Sequence, residues 1–119
     1  MLNEHYGQKV YLARGHTDLR KAIDGLAGIV QLEFNLSPFE SSLFVFCNRN
    51  KDKLKILEWT QSGFWLHYFR LEKGRFQWPD QTDESSPLGI TWRELRWILD
   101  GLPLKPAKFH PSVQSKYVF

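Results

Sequence analysis

The chain of 119 residues is 42% hydrophobic, 15% aromatic and 24% charged, which is typical of one folded domain and unlike disordered or collagen-like chains. Its longest unbroken apolar run, residues 43–47, is far shorter than the roughly 20 residues of a membrane-spanning helix, and its first residues do not resemble a signal peptide. Its one cysteine, Cys47, excludes an internal disulfide and a multi-cysteine zinc site. We therefore expect a cytoplasmic protein that contacts no membrane.

The net charge of +3, from 16 basic and 13 acidic residues, is unevenly distributed. Basic side chains predominate in residues 49–75, acidic ones follow in residues 80–84, and the end of the chain is basic again. One reading is a positive face that steers an anionic partner. The alternative is a solvated surface with scattered charge.

The first predicted elements are a strand over residues 8–13 and an amphipathic helix over residues 17–33. Thr17 or His16 is the candidate N-cap of the helix, and Asp18 lies in the predicted first turn, at the positive end of the helix dipole. Apolar residues recur at three- and four-residue spacing along the helix. This stripe predicts packing on a sheet.

Four runs rich in aromatic and β-branched residues follow, over residues 43–47, 54–60, 64–72 and 75–78. The turns between them are too short for a parallel crossover, which needs about a dozen residues or more. We therefore predict an α+β fold, with an antiparallel meander of about four strands, an N-terminal strand and helix, and a C-terminal helix.

The C-terminal helix is predicted after a polar, acidic loop over residues 80–87. Thr91 and Glu94 have the spacing of a capping box, and an apolar stripe extends to residue 102, where Gly101 and Pro103 end the helix. We assign residues 1–102 to a single α+β domain and residues 103–119 to a Pro-rich C-terminal tail.

Catalytic and metal-binding patterns are missing from the sequence. The four histidines lack a partner at metal-ligand spacing, and there is no Gly-rich phosphate loop. Cys47 lies in an apolar run and is expected to be a buried hydrophobic residue instead of a nucleophile. Asp80, Asp83 and Glu84 lack the spacing of a metal loop. We expect no enzyme activity, metal, cofactor or small-molecule substrate.

The run over residues 64–72 places large apolar groups on both faces of the sheet. Either the second helix and the tail cover the face away from the first helix, or an aromatic surface stays open. An open surface beside the basic residues would combine stacking rings with positive charge, as in proteins that bind single-stranded nucleic acid. In a fully covered sheet the lysines only protect strand edges. The candidate nucleic-acid-binding residues are Arg49, Lys51, Lys53, Lys55, Arg70, Lys73 and Arg75.

The first helix carries two glycines on the side opposite its apolar stripe. Gly25 and Gly28 lie there beside Arg20, Lys21 and Asp24. Each interior glycine costs about 1 kcal/mol relative to alanine. Either these glycines let another backbone or a nucleic-acid strand approach closely, or they are uncompensated. The five residues form the candidate partner-binding surface.

Several segments together resemble a known family. They are TDLRKAIDGL at residues 17–26, LFVFCNR at 43–49, KLKIL at 53–57, and GFWL, RLEKGRF and WP within 63–79. Over nearly its whole length the chain resembles the TnpB accessory proteins of insertion sequence family sixty-six. It departs from the family pattern at Asn50, where a basic residue is usual, and at Glu58, where an aromatic one is common.

The resemblance implies a bacterial mobile-element protein that is encoded beside a separate transposase and needed for transposition. It supplies no catalytic residues. The first hypothesis is a non-enzymatic accessory factor that contacts element DNA, the transposase of the same element, or both. The alternative is a protein-interaction module without nucleic-acid affinity. A magnesium-dependent nuclease is the third reading.

Overall fold

The computed structural model describes residues 7–82 and 86–102 of the chain. In these residues the elements are β1 (Lys9–Leu12), α1 (Ile23–Leu32), β2 (Ser42–Cys47), β3 (Lys53–Thr60), β4 (Gly63–Arg70), β5 (Leu88–Ile90) and α2 (Trp92–Leu99). The strands form one sheet in the spatial order β4-β3-β2-β1-β5, so β4 and β5 are its edges. The predicted α+β composition is confirmed.

The meander predicted from the short turns is confirmed for β2, β3 and β4. β2 pairs antiparallel with β3, with Cys47 opposite Leu54, and β3 pairs antiparallel with β4, with Thr60 opposite Gly63. Turns of a few residues join these strands, and such turns permit only antiparallel neighbours.

The N-terminal strand joins the sheet in the parallel sense. Val10 of β1 lies opposite Leu43 of β2 in a parallel pair, whereas it lies opposite Ile90 of β5 in an antiparallel pair. The parallel pair is possible because α1 lies between β1 and β2 in the chain and carries the crossover connection. The predicted antiparallel arrangement therefore holds only in part.

Residues 75–78, predicted as the fourth strand of the meander, form no strand. The N–H of Phe76 donates to the carbonyl of Lys51 at 2.7 Å, and the indole Nε1 of Trp78 donates to the carbonyl of Ala13 at 2.9 Å. Both aromatic side chains are buried in the core on one face of the sheet. This segment therefore crosses the face of the sheet instead of extending its edge.

α1 begins at Ile23 instead of at residue 17, and neither predicted cap is used. Ala22 is the N-cap residue, and no side chain caps the helix. Asp18 accepts hydrogen bonds from the backbone and the guanidinium of Arg20 at 2.7 to 3.1 Å, which lowers the pKa of that carboxyl. This local turn competes with the helix for the backbone. Thr17 donates its N–H to the end of β2 at 2.7 Å.

The predicted capping box of α2 is confirmed. The Glu94 N–H donates to Thr91 Oγ1 at 3.1 Å, and the Thr91 N–H donates to Glu94 Oε1 at 2.9 Å. Gly101 has φ +78°, the left-handed conformation that ends helices, so α2 stops short of the predicted residue 102. β5 was not predicted, because three residues are too few for a periodic pattern.

The core lies on both faces of the sheet. α1 covers one face, where the fully buried Leu26 and Val30 form one cluster with Phe44, Phe46 and Leu57. α2 and the segment over residues 71–78 cover the other face. The buried side chains of that second cluster are Val10, Leu12, Leu43, Val45, Cys47, Leu54, Ile56, Phe76, Trp78, Ile90, Trp92, Leu95 and Ile98.

Neither helix protects the whole of the edge strand β4. Its side chains Trp65, Tyr68 and Phe69 are 54%, 56% and 38% exposed. The central strands are therefore covered on both faces, as one alternative from the sequence had it. β4 keeps part of an aromatic surface open, as the other alternative had it. The predicted tail over residues 103–119 lies outside the described residues.

Candidate nucleic-acid interface

The side chain of Asn48 holds the turn between β2 and β3. Its Oδ1 accepts the N–H groups of Asp52 and Lys53 at 3.0 Å each, and its Nδ2 donates to the Asp52 carboxylate at 2.7 Å. That last bond holds the pKa of Asp52 below its usual range. Lys51 has φ +60°, a left-handed conformation that suits a tight turn. The turn is therefore a fixed platform for the basic side chains on it.

An open cleft of about 580 Å³ lies between this turn and residues 75–82. Lys51, Arg75 and Arg14 bring three cationic side chains to its lining, which also contains the carboxylate of Asp80. The turn and the segment are tied together by the backbone hydrogen bond from residue 76 to residue 51. We call it the cationic cleft, after the three cationic side chains in its lining.

Lys53 and Lys55 lie on the α1 face of the sheet, away from the cationic cleft. The Lys55 ammonium donates to the carbonyl of Lys21 at 3.1 Å, and the Lys53 ammonium lies 3.6 Å from the Asp52 carboxylate. Both side chains border an open depression of about 540 Å³. That depression is lined by Asp18, Leu19, Arg20, Asn48, Lys53, Lys55 and Tyr68.

The other predicted cations differ in their partners. Arg70 donates to the Glu72 carboxylate at 2.8 Å, and this pair raises the pKa of Arg70. Lys73 and Arg49 are exposed in turns. The seven predicted residues therefore gather at one end of the sheet, but they are divided between its two faces.

The candidate partner-binding residues lie around the start of α1. Arg20 and Lys21 precede the helix, and Asp24 lies in its first turn. A Cβ added at Gly25 would lie 3.1 Å from the Cβ of Lys21, whereas one added at Gly28 would have no described heavy atom within 4 Å. Gly28 therefore leaves open space on the helix surface.

We expect Gly28→Ala to stabilise the protein by about 0.5–1 kcal/mol, because the helix loses an interior glycine and nothing resists the added methyl group. Gly25→Ala is the matched control and should stabilise less, because its methyl group meets Lys21. Urea denaturation of both variants measures the difference. A loss of stability in Gly28→Ala would contradict the open space. If Gly28→Ala keeps or raises the stability but abolishes transposition, the open space beside Gly28 is where a partner binds.

Cys47 is fully buried, as predicted, and burial raises the pKa of its thiol to about 12. A thiol with such a pKa is protonated at neutral pH and is a poor nucleophile. Among the described residues no group of three or more His, Cys, Asp or Glu side chains could hold a metal ion. Asp83 and Glu84 lie outside those residues.

Sequence reasoning missed two residues of these surfaces and one contact between β3 and β4. Arg14 and Tyr68 reach the two basic surfaces only through the fold. Glu58 is buried and lies 2.8 Å from Nε2 of His67, next to the exposed Trp65. The pairing of β3 with β4 across a two-residue turn is the signal that places Glu58 and His67 diagonally across the two strands.

In the described ranges, no helix is long and apolar enough to cross a membrane.

Comparisons with known proteins bear on this site because they identify related chains. The family model described as "IS66 Orf2 like protein" matches residues 8–109. The uncharacterized protein y4hO of Sinorhizobium fredii (strain NBRC 101917 / NGR234) is 35% identical over 102 residues, which cover 86% of this chain and 87% of the relative. The uncharacterized protein y4jC of the same strain is 27% identical over 111 residues, 93% of each chain. No solved structure matches. The resemblance seen in the sequence is confirmed, and the chain belongs to the IS66 Orf2-like TnpB family of insertion-sequence accessory proteins.

Proposed function

We propose that this protein is a non-enzymatic accessory factor for transposition that binds DNA in the cationic cleft and acts beside the separate transposase of the same element. The family supports the role in an insertion sequence. The cleft carries the proposal of DNA contact, because it gathers Lys51, Arg75 and Arg14 around one open volume. Lysine and arginine contacts to phosphates supply most of the affinity of sequence-independent DNA binding.

Lys51 and Arg75 in the cleft suit a phosphate backbone better than the lysines of the α1 face do, and Arg14, which donates to the carbonyl of Ser86 at 3.2 Å, adds less. On the α1 face, Lys53 lies beside the Asp52 carboxylate, and Lys55 is bonded to a backbone carbonyl. The backbone of Lys51, by contrast, is held by the turn and by its hydrogen bond from Phe76, so its side chain starts from a fixed position. A residue whose backbone is already ordered loses less conformational entropy when its side chain meets a phosphate.

Two double variants that each remove two positive charges test this assignment. Lys51→Asn with Arg75→Gln changes the cleft, and asparagine is chosen because it tolerates the positive φ of residue 51. Lys53→Gln with Lys55→Gln changes the α1 face by the same charge. Fluorescence anisotropy with element-end and unrelated duplexes, over a range of salt concentrations, measures binding.

We expect the cleft variant to lower the slope of log affinity against log salt by about two, because each phosphate contact contributes about 0.9. Element-end and unrelated DNA should lose affinity alike, since backbone contacts carry no sequence information. The α1-face variant should change the slope by less than half as much. Equal effects of the two variants, or no binding by the wild type at low salt, would contradict the proposal. With magnesium added, the DNA should remain intact.

The alternative is a protein-interaction module without DNA affinity. The ion pair of Arg70 with Glu72 favours it, because a cation that already has a carboxylate partner is less available to phosphate. So do the exposed apolar side chains Leu32 and Phe39, which are 87% and 52% exposed. Capture of the purified transposase that survives nuclease treatment, by a protein that binds no DNA, would favour this alternative.

A further inference from the structure

We propose that β4 pairs antiparallel with β4 of a second copy of this chain, so that two sheets join into one across a two-fold axis. The proposal does not depend on DNA binding, because it rests on the edge strand and not on the cationic cleft. β4 is an edge of the sheet in the described residues and is eight residues long. Its Trp65, Tyr68 and Phe69 are exposed.

The hydrogen bonds of β4 show which backbone groups are free for such a pair. The N–H of Leu71 points inward and donates to the carbonyl of Asp52 at 2.8 Å, beyond the last pair of β3 with β4. At the other end, Thr60 and Gly63 flank a two-residue turn. In such a hairpin the two flanking residues form backbone hydrogen bonds with each other, so the backbone groups of Gly63 also point inward. Backbone groups alternate in direction along a strand, so those of residues 64, 66, 68 and 70 point outward.

The sequence of β4 is poor in the charged residues and prolines with which natural proteins protect exposed strand edges. It contains no proline, lysine, aspartate or glutamate, and its one arginine is the last residue. Exposed edge strands are usually short, charged or interrupted, because an open row of N–H and C=O groups pairs with other strands. An open, largely apolar edge of this length is therefore an interaction surface.

A second copy suits this edge because its side chains are complementary to themselves. One register places every outward-pointing residue in a hydrogen-bonded pair, with Phe64 opposite Arg70 and Leu66 opposite Tyr68 of the second copy. On the other face it places Trp65 opposite Phe69 and His67 opposite His67. Arg70 meets an aromatic ring instead of another arginine. Aromatic cross-strand pairs stabilise antiparallel strands.

Cysteine cross-linking of the full chain tests both the interface and its register. Trp65 and Phe69 of the second copy are opposite in a non-hydrogen-bonded pair, with Cα atoms about 4.5 Å apart, which a disulfide can span. In one chain the same two residues are about 13 Å apart and cannot be bridged. Trp65→Cys with Phe69→Cys should form a disulfide-linked dimer that reductant dissolves. Each single variant is a matched control and should remain unlinked.

Sedimentation velocity of the wild type should show a dimer, and Tyr68→Pro should raise its dissociation constant about 10- to 100-fold. Proline removes one outward N–H from each copy, and thus two hydrogen bonds from the dimer, without touching the bonds to β3. Circular dichroism checks that Tyr68→Pro is folded. If that variant misfolds, the cysteine variants still test the interface.

Three results would overturn the proposal. A wild type that is monomeric at every concentration would do so. A dimer that forms while the double cysteine variant remains unlinked would place the interface elsewhere. The third result is a monomer in which β4 becomes protected from hydrogen exchange only when the transposase is added. That result would show that the transposase, and not a second copy, binds the edge.

Discussion

Leu26→Ala should lower the free energy of unfolding by about 2–5 kcal/mol, one of the two largest losses expected for this protein. Leu26 is completely buried in α1 and forms part of the cluster beneath that helix. Its truncation removes apolar contacts and leaves a cavity, because a β-sheet on the other side of the cluster cannot collapse into the space. Urea or guanidinium denaturation measures the loss.

Leu32→Ala is the matched control, because it makes the same chemical change in the same helix. Leu32 is 87% exposed, so its truncation should change stability by less than about 0.5 kcal/mol. A loss well under 1 kcal/mol for Leu26→Ala, or equal losses for the two variants, would mean that α1 packs on the sheet by another face.

Trp78→Ala should cost about 3–5 kcal/mol, because it removes one of the two buried tryptophan side chains from the core on the α2 face. The Trp78 ring is 7% exposed, and its Nε1 donates to the carbonyl of Ala13 at 2.9 Å. This anchor holds the segment that lines the cationic cleft, so the backbone that carries Arg75 should become less ordered as well. Denaturation and DNA binding below the new unfolding midpoint measure the two effects.

Two further variants serve as comparisons for Trp78→Ala: one keeps a ring but removes the hydrogen bond, and the other removes an exposed tryptophan. Trp78→Phe keeps an aromatic ring but leaves the Ala13 carbonyl without its donor, and it should cost about 1–3 kcal/mol. Trp65→Ala removes an indole that is 54% exposed, and at protein concentrations at which the chain is monomeric it should lose less than half as much as Trp78→Ala. If Trp78→Ala is no worse than Trp65→Ala, residues 75–78 are not anchored as described.

The functional surface was only partly predictable from the sequence. Lys51 and Arg75 are 24 positions apart in the sequence, and charge clustering suggested that they lie near each other. The sequence did not show that Lys53, two residues from Lys51, belongs to the opposite face. The left-handed turn at Lys51 and the crossing of residues 71–78 over the sheet decide that division.

Local patterns by themselves determined the elements whose cause is local. Short turns permit only antiparallel neighbours, so the pairing of β2 with β3 and of β3 with β4 followed from their spacing. The capping box of Thr91 and Glu94 followed from two residues three apart. Several ordered sequence segments likewise indicated the IS66 family before any fold was known.

Only the tertiary structure decided the features that depend on distant contacts. Residues 75–78 have the composition of a strand, yet burial of Phe76 and Trp78 against one face stabilises them more than a place at the edge would. The parallel pairing of β1 with β2 depends on how α1 crosses the sheet. Because residues 75–78 cross the face of the sheet instead of extending its edge, β4 has no outer neighbour in the described chain.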